Sequence, residues 1–191
     1  MFKKVCIIGC GLIGSSIARA IKKNKLARKV VSSNRSNITN KKVIKLKIVD
    51  EASSDIKKMV KSSDLVIIAT PLSSYKNVVL KIKNSIKKTA ILTDVGSVKK
   101  ESISLVEKNI SKNISWISSH PIAGTEESGP ESGFSELFKN RWCILTPSKQ
   151  SKDRDIKMLE NFWKKMGSRV TIMNSEEHDY ILSITSHMPH L

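Results

Sequence analysis

Gly9-Cys10-Gly11-Leu12-Ile13-Gly14 stands directly after the apolar run Val5-Cys6-Ile7-Ile8 and leads into an amphipathic segment. A short buried strand, a glycine-rich turn and a helix in that order leave few folds open to a chain. Gly9 permits the tight turn, Gly11 lets backbone approach a pyrophosphate, and Gly14 lets helix and strand pack closely. Phosphates then rest on free N–H groups at the helix N-terminus, where the helix dipole favours negative charge. The motif therefore predicts a dinucleotide site held by Gly9, Gly11, Leu12, Ile13 and Gly14.

The rest of the chain alternates short apolar runs with longer helical patterns. Strands are expected near 3–8, 29–33, 64–69, 90–94, 115–119, 141–146 and 169–173, and helices near 12–24, 37–46, 54–61, 74–87, 98–109, 152–166 and 175–191. Leu65-Val66-Ile67-Ile68-Ala69 is continuously apolar, as in a parallel sheet covered on both faces. The alternation predicts an α/β fold, a doubly wound, mostly parallel sheet of the Rossmann type, with ligands beyond the carboxyl ends of the strands. Residues 1–174 form this dinucleotide-binding domain. Ser175 is the expected cap of a last helix, with Glu176 and Glu177 in its first turn. Ile181, Ile184, Met188 and Leu191 share one stripe of it, and Asp179, Ser183, His187 and His190 another. The pattern reaches Leu191 with no stop signal. Residues 175–191 are thus expected to begin a further helical domain that this sequence lacks.

The net charge of +17 raises nucleic acid as a partner. Most of that charge is lysine, scattered in pairs such as Lys22-Lys23 and Lys164-Lys165, and aromatic residues make up only 5%. Without an arginine-rich tract or stacking platforms, the charge reads as solvated helix faces, and no nucleic-acid partner is expected. No membrane association is expected either, since the apolar start is broken by glycines and too short to span. It also lacks the cleavage region of an export signal. Cys6, Cys10 and Cys143 form no C-x-x-C pair, which fits a reducing, cytoplasmic setting.

Val30-Val31-Ser32-Ser33 leads into Asn34-Arg35-Ser36. An NAD site places an acidic residue roughly 20 residues beyond the glycines, on the ribose 2′-OH. Here Asn34 stands in that place, so no carboxylate repels a 2′-phosphate, and Arg35 and Ser36 offer it hydrogen bonds. NADP is the expected cofactor, with NAD as the alternative. Thr70-Pro71 and Asp94-Val95-Gly96-Ser97-Val98-Lys99 each follow an apolar strand, where cofactor and substrate contacts gather. His120 ends another strand, just before Pro121, and is either a proton acceptor or a capping histidine.

Taken together these blocks resemble the prephenate and arogenate dehydrogenases, above all the broad-specificity cyclohexadienyl dehydrogenases. The resemblance rests on Gly9 to Gly14, Thr70-Pro71, Asp94 to Lys99, His120-Pro121-Ile122-Ala123-Gly124-Thr125-Glu126, Arg141 to Pro147, and Ser186-His187-Met188-Pro189-His190, in family order. It implies oxidative decarboxylation of prephenate to 4-hydroxyphenylpyruvate, or of arogenate to tyrosine, in tyrosine biosynthesis. It further implies His120 as catalytic base, with Ser97 orienting it or the substrate. Thr125, Glu126, His187 and His190 would contact substrate, and Gly9 to Gly14, Asn34, Arg35, Ser36, Thr70 and Pro71 the cofactor. Asp179 also matches a family position. No metal is expected, because His187 and His190 have neither an adjacent glutamate nor an evident third ligand. In the family a helical dimerisation domain follows and contributes an arginine to a substrate carboxylate. The full-length protein is accordingly expected to be a homodimer, and this chain to bind NADP with weak or absent turnover. Another Rossmann reductase or hydroxyacid dehydrogenase, or a non-catalytic NADP-binding module, remains open.

Overall fold

The computed structural model describes residues 1–187, with side chains through Ile184. Its strands are β1 (Phe2–Ile8), β2 (Ala27–Ser33), β3 (Glu51–Ser53), β4 (Leu65–Ile68), β5 (Ile91–Asp94), β6 (Ser115–Pro121), β7 (Trp142–Pro147) and β8 (Arg169–Ile172). They form one sheet in the order β3-β2-β1-β4-β5-β6-β7-β8. The first six pair in parallel, β6 and β7 are antiparallel, and β7 and β8 are again parallel. The chain order reverses between β1 and β4, the crevice where doubly wound sheets bind ligands.

The helices are α1 (Leu12–Lys23), α2 (Asn37–Lys45), α3 (Ile56–Val60), α4 (Tyr75–Ile82), α5 (Lys100–Glu107), α6 (Asp153–Lys165) and α7 (Ser175–His187). Strand side chains alternate between two apolar layers. Val5, Ile7, Val30, Leu65, Ile67 and Ile117 pack with Ile17 and Ile21 of α1 and Phe162 and Trp163 of α6. Cys6, Ile8, Val31, Val66, Ile68 and Trp116 pack with Met59 of α3, Tyr75, Val79 and Ile82 of α4 and Val106 of α5. Both faces of the central strands are covered, which is why Leu65–Ile68 carries no polar residue.

Three local features differ from the expectation. β3 is an additional edge strand whose residues Glu51-Ala52-Ser53 carry no apolar period; it forms by pairing with Val31–Ser33. α4 stops at Ile82, where Ser85 and Ile86 both donate to the Ile82 carbonyl and close the last turn. Asn174, not Ser175, caps α7: its Oδ1 accepts from the amides of Glu176 (3.0 Å) and Glu177 (2.8 Å), and Glu177 reaches back to the Asn174 amide. This reciprocal pair is a capping box shifted by one residue. Among the described residues no helix is long and apolar enough to cross a membrane.

Candidate active site

The turn after β1 is clamped between β2 and β4. The Gly9 amide donates to the Ser33 carbonyl and the Ala69 amide to that of Ile8. Gly9 has φ +94°, and a Cβ there would lie 2.7 Å from the Ala69 carbonyl oxygen. A Cβ on Gly14 would meet the Gly9 oxygen at 2.0 Å, so helix and turn touch through backbone. Gly11 is the opposite case, with nothing within 4 Å of a Cβ built on it. No side chain caps α1 and no acidic residue occupies its first turn. The N-terminus of α1 therefore presents amides and a positive dipole end to open space. Beside the turn, Thr70 Oγ1 is buried and has no hydrogen-bond partner among the described residues. An open glycine, an uncapped helix and an orphaned hydroxyl together fit a dinucleotide pyrophosphate.

Asn34 sits where the turn and α2 meet. Its Oδ1 accepts from the Cys10 amide at 2.6 Å, and its Nδ2 donates to Ser32 Oγ and Asn40 Oδ1. The amide thus holds the glycine turn in place with most of its capacity. Arg35 is exposed immediately beyond it. Ser36 caps α2, its Oγ accepting from the amides of Ile38 and Thr39, and its hydroxyl proton stays available to an anion. Pro71 is exposed and opens the short turn Leu72–Ser74. Burial pushes the thiols of Cys6 and Cys10 up to about 12, so neither is reactive near neutral pH.

His120 lies near the carboxyl end of β6, on the same sheet edge as the glycine turn, and is 9% exposed. Its Nδ1 is 2.9 Å from His178 Nε2, and His178 Nδ1 is 2.7 Å from Asp179 Oδ1. Asp179 also accepts from the amides of Lys99 and Lys100, each at 2.9 Å, which ties α7 to the start of α5. Burial, followed by the charge of Lys99 and the neighbouring His178, lowers the His120 imidazole to about 4. It is therefore neutral, and able to accept a proton, at physiological pH.

Behind the histidine lies a buried ion pair. Lys99 Nζ contacts Asp94 at 2.9 and 3.2 Å, Ser118 Oγ at 2.8 Å and the Ser119 carbonyl at 2.8 Å, and both charged side chains are fully buried. Asp94 also accepts from Tyr75 OH, the Gly96 amide, Ser118 Oγ and the Ser119 amide. So complete a set of donors makes a dry ion pair tolerable. It locks the loop after β5 to β6.

Ser97, Thr125 and Glu126 are exposed on the loops that follow β5 and β6. Thr125 Oγ1 accepts from the Glu127 amide. The ring contact of His120 is to His178, not to Ser97. His187 is the last residue of α7 and its side chain lies outside the described residues, as does His190 altogether. Among the described residues no cluster of three or more His, Cys, Asp or Glu is placed to hold a metal. Sequence reasoning passed over His178. The run Glu177-His178-Asp179 was the available signal, a histidine beside an acid on the helix that already carried candidates.

A profile described as prephenate dehydrogenase, nucleotide-binding domain, matches residues 17–172. The chain is 37% identical over 191 residues to cyclohexadienyl dehydrogenase of Zymomonas mobilis, covering 100% of itself and 65% of that protein. It is 31% identical to prephenate dehydrogenase of Bacillus subtilis, covering 98% of itself and 51% of that protein. The crystal structure of prephenate dehydrogenase from A. aeolicus, in complex with hydroxyphenyl propionate and NAD+, superposes with a TM-score of 0.91 at 29% identity, covering 100% of this chain and 66% of that one. The chain thus spans between half and two thirds of the length of these three relatives. By sequence and fold alike, it belongs to the prephenate dehydrogenase family and carries that family's nucleotide-binding domain.

Proposed function

We propose that this chain supplies the dinucleotide site and the proton acceptor for oxidative decarboxylation of prephenate, arogenate or both. One observation carries the reading: a neutral, buried imidazole, His120, stands on the same sheet edge as an open, uncapped glycine turn. A bound nicotinamide dinucleotide supplies the hydride acceptor. The chain's own part is to hold the substrate carbinol against it and to take the hydroxyl proton on His120 Nε2. Loss of that proton and of the C–H hydride leaves a carbonyl on the ring. The carboxylate C–C bond then breaks, carbon dioxide departs, and its electron pair aromatises the ring to a phenolate, which regains a proton. Ser97, Thr125, Glu126, His187 and His190 are the proposed substrate contacts.

Gly9, Gly11, Leu12, Ile13 and Gly14 are the proposed cradle for the pyrophosphate, with Thr70 and Pro71 beside the dinucleotide. NADP is preferred over NAD in this reading. The strand-end residue is a neutral, inward-turned Asn34, and Arg35 and Ser36 are free to meet a 2′-phosphate. The setting proposed is cytoplasmic, and the complete protein is a homodimer.

The test is titration of the chain with NADP+ and NAD+, followed by spectrophotometry of nicotinamide reduction by the full-length protein with prephenate and with arogenate. His120→Asn abolishes oxidation and leaves dinucleotide affinity within about twofold, because the base does not bind the cofactor. Undiminished oxidation by that variant refutes the assignment.

A further inference from the structure

Asp179, ionised and placed 2.7 Å from His178 Nδ1, accepts a hydrogen bond and cannot donate one. The proton between them therefore belongs to His178 Nδ1. Burial lowers the basicity of His178, so its Nε2 carries a bare lone pair, and that lone pair faces His120 Nδ1 at 2.9 Å. Two bare nitrogens would repel at that distance, so the shared proton sits on His120 Nδ1. The order of protons along the three side chains is then set from the acid inward.

We propose that His178, held by Asp179, is a positioning residue that keeps His120 in its Nδ1–H form, with Nε2 as the free proton acceptor. The inference rests on the reading of His120 as the base and extends it. The opposite arrangement, with a proton on His178 Nε2, would place one on His120 Nε2 and leave the site with no acceptor. When His120 takes the hydroxyl proton it becomes an imidazolium, and its Nδ1–H bond to His178 strengthens with the positive charge. The groups that act on this pair are Lys99 and Asp94 from the α5 and β5 side and Asp179 of α7. Asp179 also caps α5 through the amides of Lys99 and Lys100, so replacing it would disturb a helix as well as the relay. His178 variants separate the two effects.

The test is imidazole nitrogen NMR of the chain labelled at its four histidines. At pH 7 His120 shows a protonated Nδ1 and an unprotonated Nε2. His178→Leu removes the acceptor and returns His120 to exchange between both forms. His178→Gln, whose Oε1 accepts a hydrogen bond as Nε2 does, retains the single Nδ1–H form. In the oxidation assay His178→Leu lowers kcat about tenfold or more with KM unchanged, below the roughly 10⁴ lost when a serine protease triad holds the wrong tautomer. His178→Gln recovers most of that loss. A wild-type His120 protonated on Nε2 overturns the proposal, whether or not any variant folds. So does a folded His178→Leu protein with an unchanged His120 spectrum. A full-length protein whose His120 shows the Nδ1–H form but which oxidises neither substrate would remove the functional reading and leave the relay standing.

Discussion

Replacing Asp94 by asparagine removes one negative charge and almost no volume from the centre of the site. Whichever carboxylate oxygen becomes the amide NH2 then faces three donors. On the Oδ1 side these are Lys99 Nζ, Ser118 Oγ and the Ser119 amide; on the Oδ2 side, Lys99 Nζ, Tyr75 OH and the Gly96 amide. The hydroxyls can rotate to accept, but the backbone amides cannot. Lys99 meanwhile remains fully buried with no counter-charge. Breaking a buried pair from one side destabilises by about 3–5 kcal/mol. For a domain of this size that corresponds to a fall in Tm of about 6–20 °C. Urea unfolding followed by Trp116 and Trp163, both fully buried, measures the change directly. Lys99→Met should destabilise less, because Asp94 keeps four neutral donors. Combined with Asp94→Asn it should recover about 2 kcal/mol of the summed losses, since the orphaned charge is gone. An Asp94→Asn loss below about 1 kcal/mol, or strict additivity in the double variant, would show that the pair is not the tie described here.

Gly11→Ala should leave stability nearly unchanged yet weaken dinucleotide binding about tenfold or more, because the new methyl projects into open space claimed by the pyrophosphate. Gly14→Ala should do the reverse and depress the unfolding midpoint, as its Cβ would overlap the Gly9 carbonyl; calorimetric titration and melting of both variants decide the contrast. Arg35→Ala should raise the Kd for NADP+ about 10–100-fold, the equivalent of a charge-assisted bond of about 1.5–3 kcal/mol, with NAD+ unchanged. Equal loss for both cofactors would place Arg35 away from a 2′-phosphate. His120 binds its proton at about 4 when folded against 6.5 in the open chain. Between those values only the unfolded chain takes up the proton, so stability falls as pH drops from 6.5 to 4, by about 3 kcal/mol. Urea titrations at several pH values should show that slope in the wild type and a shallower one in His120→Asn, where the buried His178 still contributes in this range.

Much of this architecture is written locally. The glycine spacing, the short continuous apolar strands and the helix stripes each need only a few adjacent residues, because burial on two sheet faces and close helix contact act over a few neighbouring positions. The positions of Gly9, Gly11, Gly14, Thr70 and His120 along one sheet edge follow from that pattern plus the direction of a parallel sheet. β3 left no trace, since Glu51-Ala52-Ser53 becomes a strand only when Val31–Ser33 offers it a ladder. Asn34 was legible as a neutral residue at a strand end, but its grip on the Cys10 amide was not.

The chain alone therefore determined the nucleotide fold and the candidate base. The tertiary structure decided what that base touches. His178 is 58 positions from His120 in sequence, and Asp179 lies 80 from Lys99. No propensity or period links residues so far apart. They meet because α7 packs against β7 and the start of α5, and hydrogen bonds in that dry corner select partners by distance and proton count, which only packed coordinates contain.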